Sequence, residues 1–183
     1  YTKGAIFLHQ LEYIVGEQPF RSGMLDFFNK WKYKHPLPDD LILAMEKTSG
    51  LQLDWYKDYM VYTTKTIDYG IDSIIESNKL VAIKISNYGR MPMPVDLRIE
   101  FADGTIRYFT IPLDLMLGAK SVSDEHGQAY QVLEEWKWVD PEYGIVLPLT
   151  LDKVASIEID PDRRMADMDR SNNVWPRSST KEE

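Results

Sequence analysis

The sequence predicts an α+β protein, helices first and an antiparallel β-sandwich after them, on three observations. Apolar residues in positions 1–70 recur at helical spacing, whereas from Ile67 onward they recur every second residue. The charge changes at the same place. Positions 1–70 hold eight Lys and Arg against nine Asp and Glu, a net of −1, and the remainder holds 13 against 20, a net of −7. Two structural units are therefore expected, a helical one over 1–70 and a sandwich over 71–170, with a polar tail over 171–183.

The first helix is expected over 5–15, where Ala5-Ile6-Phe7-Leu8 leads to Leu11, Ile14 and Val15 and Gly16 closes it. A second helix takes Pro19 in its first turn and sets Phe20, Met24, Phe27, Phe28 and Trp31 on one broad apolar face. His35-Pro36-Leu37-Pro38 is a connector, because two prolines so close leave no helical hydrogen bonding between them. Pro38-Asp39-Asp40 then starts a third helix at its positive end, and Ser49-Gly50 stops it. A fourth runs from about Leu53 to Tyr62, with Leu53, Tyr56, Tyr59 and Met60 on one side. Short loops make these helices antiparallel neighbours.

The strands follow from alternation. Val81, Ile83 and Ile85 form one inward set; Val95, Leu97, Ile99 and Phe101 form another, with Asp96, Arg98 and Glu100 outward. Asp103-Gly104 is a strong hairpin turn, after which Ile106 and Tyr108 share a face opposite Arg107 and Phe109. Further strands are expected over 132–138, 145–149 and 154–159, with Pro92, Pro94 and Pro148 at edges or strand ends. The region 67–76 reads as a short boundary, so the two units pack together. From Asp160 onward the polar sequence reads as irregular, frayed over 178–183.

Composition excludes several functions. Without cysteine there are no disulfides, thiol nucleophiles or thiolate metal sites. A net charge of −8 lacks the basic stripe that binds nucleic acid. No apolar run approaches the roughly 20 residues of a membrane-spanning helix. The chain begins at Tyr1 with neither an initiator Met nor a leader, and is expected to be the cut end of a longer protein.

Tyr1-x-Lys3-Gly4, followed by an apolar helix with Leu11-Glu12 and closing at Gly16, resembles the segment carrying the catalytic tyrosine in the aminopeptidase N family of gluzincin zinc peptidases. Two more stretches are similar: Trp31-Lys32-Tyr33-Lys34-His35-Pro36-x-Pro38-x-Asp40 leading to Glu46-x-x-Ser49-Gly50-x-x-Leu53-x-Trp55, and Tyr62-Thr63-Thr64-Lys65-Thr66-Ile67-Asp68-Tyr69. The resemblance covers residues 1–75. It implies that 1–70 close a thermolysin-like catalytic domain and that an immunoglobulin-like sandwich follows, ending at Ile159-Asp160-Pro161 and Asn172-Asn173 as in bacterial members. It also implies a periplasmic or secreted bacterial protein. The family's His-Glu-x-x-His zinc motif, its downstream glutamate and its Gly-x-Met-x-Asn motif occur nowhere in these residues. Zinc is thus expected in the parent protein and not in this chain, which should be inactive alone.

The resemblance implies a role for Tyr1. In such peptidases a metal-activated water attacks the peptide carbonyl, and the tetrahedral intermediate carries an oxyanion. A phenol, with an ordinary pKa near ~10, stays protonated at neutral pH and donates a hydrogen bond to that oxygen. Tyr1 is the expected catalytic residue, with peptide as the parent's substrate and the missing part of the catalytic domain as this chain's partner.

Other residues favour plainer readings. His9 and Glu12 lie at a metal-ligand spacing but lack a second pair. His35 is a connector residue and His126 a loop residue. Asp160, Asp162, Asp167 and Asp169 invite a calcium loop, yet the glycine and closing glutamate of an EF-hand are missing. Trp55, Tyr56, Tyr59 and Tyr62 read as core at helical spacing, and Trp136 and Trp138 as one buried strand face; exposed, those two rings would instead form a carbohydrate platform. The alternative to the peptidase reading is a noncatalytic scaffold of helices and sandwich that binds partner proteins.

Overall fold

The computed structural model describes residues 1–122, 127 and 129–177. Four helices come first: α1 (Thr2–Val15), α2 (Glu17–Trp31), α3 (Pro38–Ser49) and α4 (Asp54–Tyr62). Gly16 separates α1 from α2 without a loop; its φ of 88° is open to glycine, and its carbonyl already accepts the Phe20 N–H at 3.1 Å. At the start of α3 the Leu37 N–H donates to the Asp40 carboxylate at 2.8 Å, and the Asp40 N–H returns to the Leu37 carbonyl. Gly50, left-handed at φ 73°, ends that helix. Helices α2 and α3 approach closely at Gly23, where a Cβ would lie 2.6 Å from the Met45 sulfur.

Eight strands follow: β1 (Tyr69–Ser77), β2 (Leu80–Asn87), β3 (Val95–Phe101), β4 (Ile106–Ile111), β5 (Gln131–Val132), β6 (Glu142–Leu147), β7 (Val154–Ile159) and β8 (Val174–Trp175). They form an antiparallel three-stranded sheet, β1-β2-β6, and a five-stranded sheet, β5-β4-β3-β7-β8. The α+β class holds. The second sheet, however, is mixed, because β5 runs parallel to β4. Inward residues of both sheets, among them Ile71, Ile83, Ile85, Leu97, Ile99, Ile111 and Ile157, share one core with Leu11, Ile14 and Val15 of α1 and Leu51 and Leu53 before α4. Helices and sandwich thus close over a continuous apolar interior.

Three local expectations change, and the face of β4 that is covered is decided. Region 67–76 is no linker, since most of it is β1; a register shift between Ile71 and Ser73 breaks the alternation that would have announced it. On β4 the buried face carries Phe109 and Ile111, while Ile106 is exposed. Of the strand expected over 132–138 only Val132 is laddered, although Trp136 makes an isolated bridge to Leu113. The stretch after Asp160 is mostly irregular, but it adds β8 to the sheet inside the span read as a tail and buries Asp160, Met165 and Asn173. The part of that tail over 178–183 lies outside the described residues.

Candidate active-site segment

Tyr1 is the N-cap residue of α1. Its carbonyl accepts the Ala5 N–H at 3.0 Å, its side chain is fully exposed, and its hydroxyl has no partner among the described residues. A cleft of about 250 Å³ runs between Lys3, Gly4 and Phe7 of α1 and Met60 and Val61 of α4. The three deeply buried tyrosines differ from it. Tyr13 donates to the Pro94 carbonyl at 3.2 Å, Tyr56 to that of Phe7 at 2.7 Å, and Tyr69 to that of Met91 at 2.9 Å. Burial pushes all three hydroxyls above the ordinary phenol range. Those phenols are committed to holding the fold, whereas that of Tyr1 remains available as a donor.

The C-terminal half of α1 is held by polar contacts that the sequence did not announce. Gln10, almost wholly buried, donates from Nε2 to the Arg164 carbonyl at 2.9 Å and accepts the Ala166 N–H at 3.2 Å. The Tyr13 hydroxyl also accepts the Asp96 N–H at 3.2 Å. Lys120 Nζ donates to the Tyr13 carbonyl at 3.0 Å and to Asp96 Oδ2 at 2.6 Å, and lies 3.6 Å from the Tyr13 ring centroid. Burial pushes the Lys120 ammonium below the ordinary lysine range, opposed by the Asp96 carboxylate. Asp96 was expected to face outward from β3; it does leave the sandwich core, but the end of α1 covers it.

Segment 160–170 grips α1 because Asp160 organises it. The Asp160 carboxylate, 1% exposed, accepts the Arg164 N–H, the Met165 N–H and Arg170 Nη1, each at 2.9 Å. Arg170 also donates to the Met165 and Asp160 carbonyls. Desolvation still pushes the Asp160 carboxyl above the usual carboxylate range. In a single sequence the signal for such a network is faint: a polar residue on an apolar helix face, at Gln10, and an aspartate closing a strand, at Asp160.

The other singled-out residues have structural roles or stand apart. Glu46 accepts the Leu53 N–H at 2.8 Å, Ser49 binds the Met45 carbonyl, and Trp55 Nε1 donates to the Gln52 carbonyl, so that motif ties the α3–α4 turn. Trp55 and Tyr56 are buried and Tyr62 is exposed. Trp136 is buried between Tyr69 and Tyr143 while Trp138 is half exposed, so the two rings form no shared platform. His9 and His35 are exposed, Glu12 faces Arg164 at 3.5 Å, and His126 lies outside the described residues. Asp167 accepts the Tyr69 N–H and Asp169 the Ser171 N–H, so neither converges with Asp160. Among the described residues no three His, Asp or Glu come together to hold a metal. Among them, too, no helix is long and apolar enough to cross a membrane.

Residues 1–60, the four helices almost to the end of α4, match the model of the peptidase family M1 domain. The helical segment is thus similar to part of that peptidase domain over about a third of this chain. No curated protein matches the chain. Among solved structures, the crystal structure of Legionella pneumophila aminopeptidase A in complex with aspartic acid is similar at 13% identity and a TM-score of 0.49, over 87% of this chain. The match takes in 16% of that structure's chain, so this chain spans about a sixth of its length.

Proposed function

We propose that this chain is the C-terminal part of a zinc-dependent aminopeptidase-like enzyme, and that Tyr1 donates the hydrogen bond that stabilises the oxyanion during peptide hydrolysis. The observation that carries the reading is the match of residues 1–60 to the M1 peptidase domain, with Tyr1 at its start. A neutral phenol supplies a donor without adding charge, and its bond strengthens as negative charge builds on the carbonyl oxygen. The zinc ligands and the general base belong to residues outside this chain, which alone hydrolyses nothing.

The test is the parent enzyme against its Tyr1→Phe variant, with zinc content measured on both. The variant should retain zinc and fold while turnover falls on the order of 10²–10³-fold, as for loss of one oxyanion donor. Unchanged turnover would remove Tyr1 from the chemistry. A parent that binds no zinc and cleaves no peptide would replace the enzyme reading with the scaffold reading.

A further inference from the structure

Helix α1 is anchored through its C-terminal half. It is 14 residues long, about 21 Å, and its buried residues (Gln10, Leu11, Tyr13, Ile14 and Val15) all lie in the C-terminal half. The first five positions of the chain are exposed. Halfway along, the Phe7 carbonyl rests on the Tyr56 hydroxyl. Beyond that point the polar fixing contacts are those of Gln10, Tyr13 and Lys120, with the Glu12–Arg164 pair at 3.5 Å. Gln10 is the contact nearest Tyr1 that comes from the sandwich, and its amide is paired on both sides with the backbone of segment 160–170.

Such a clamp sets an angle. Nine residues of helix place Tyr1 about 13 Å from Gln10, so a tilt of about 4° at the clamp moves the tyrosine by about 1 Å. A displacement of that size at a reacting centre is enough to cost on the order of 10² in rate. Stability alone does not require an amide at position 10, since the surrounding α1 residues Leu11, Ile14 and Val15 are apolar and fully buried. Direction is what an amide adds: one donor and one acceptor on fixed backbone groups lock the helix in rotation and in height.

We propose that Gln10 is a positioning residue for Tyr1, and that the sandwich, through segment 160–170, sets the orientation of the oxyanion donor. The proposal rests on the reading of Tyr1 given above. Arg170 belongs to the same device one step removed, because it holds Asp160 and with it the carbonyls and amides that Gln10 meets.

The experiment uses the complete peptidase in two backgrounds, wild type and Tyr1→Phe. Gln10→Met keeps side-chain length and removes both hydrogen bonds. Arg170→Lys, which leaves α1 untouched and keeps the charge, serves if Gln10→Met fails to fold. In the wild-type background each should lower kcat by tenfold or more with KM within about twofold, at unchanged zinc content. In the Tyr1→Phe background each should lower kcat by less than twofold, because the group being positioned is gone. An equal loss in both backgrounds, or a lowered Tm with kcat unchanged, would overturn the proposal. Should Tyr1→Phe itself leave turnover intact, the reading of Tyr1 falls, and the positioning role falls with it.

Discussion

Lys120 is a lysine in the interior, where an ammonium is tolerated only with close partners. It has three: the Asp96 carboxylate, the Tyr13 carbonyl and the face of the Tyr13 ring. The pair stabilises little relative to apolar residues of the same volume, but removing one member strands the other. Lys120→Met should therefore destabilise the chain by about 3–5 kcal/mol in urea unfolding, and Lys120→Met combined with Asp96→Leu should recover most of that loss. Equal stabilities of the single and double variants would show that the charge left on Asp96 is not what costs. Among the described residues the other oxygen of this carboxylate, Oδ1, is buried without a hydrogen bond.

At the scale of elements, the junction between helices and sandwich is a backbone contact. The Thr66 N–H donates to the Gly89 carbonyl at 3.1 Å, and the Met91 N–H donates to the Thr66 carbonyl at 3.2 Å. The two strands of chain pass so closely that a Cβ on Gly89 would lie 2.0 Å from the Thr66 carbonyl oxygen. Backbone cannot swing aside as a side chain can. Gly89→Ala should lower stability by at least about 1–3 kcal/mol, read as a fall in the urea midpoint. Gly144→Ala, on β6 with open space around its Cβ position, is the control and should fall well short of that. A Gly89→Ala midpoint equal to the control's would mean that the junction yields.

The whole molecule has a common core, and its buried phenols give it a pH signature. Tyr13, Tyr56 and Tyr69 keep their protons above the ordinary value near 10. Below pH ~10 folded and unfolded chains bind the same three protons, so the stability from burying neutral phenols is fully present. Above it the unfolded chain ionises first, binds fewer protons and is favoured, by about 1.4 kcal/mol per pH unit for each group. Lys120, lowered by burial, acts with the opposite sign but only below its ordinary value near ~10.4. Stability should thus fall steeply above pH 10, with ultraviolet tyrosinate absorbance from these rings appearing only as the chain unfolds. Tyr56→Phe should make the decline shallower. If tyrosinate absorbance from all three rings rises before unfolding, their burial is not what sets the alkaline limit.

The sequence by itself determined the four helices, the change from period 3.6 to period 2 and the Asp103-Gly104 hairpin. These depend on local chemistry: prolines and glycines that fix φ, caps that satisfy helix ends, and apolar spacing along one element. Strand β1 stayed hidden because a bulge shifts its alternation, and the spacing of β4 left its buried face open because its neighbours choose the side that is covered. Tertiary structure alone decided that Asp96 is buried beneath α1, that Lys120 reaches it across 24 positions, and that Gln10 meets a backbone 154 positions away. A hydrogen bond between residues so distant leaves no periodicity in the sequence. It exists only when the fold has already brought α1 against the sandwich.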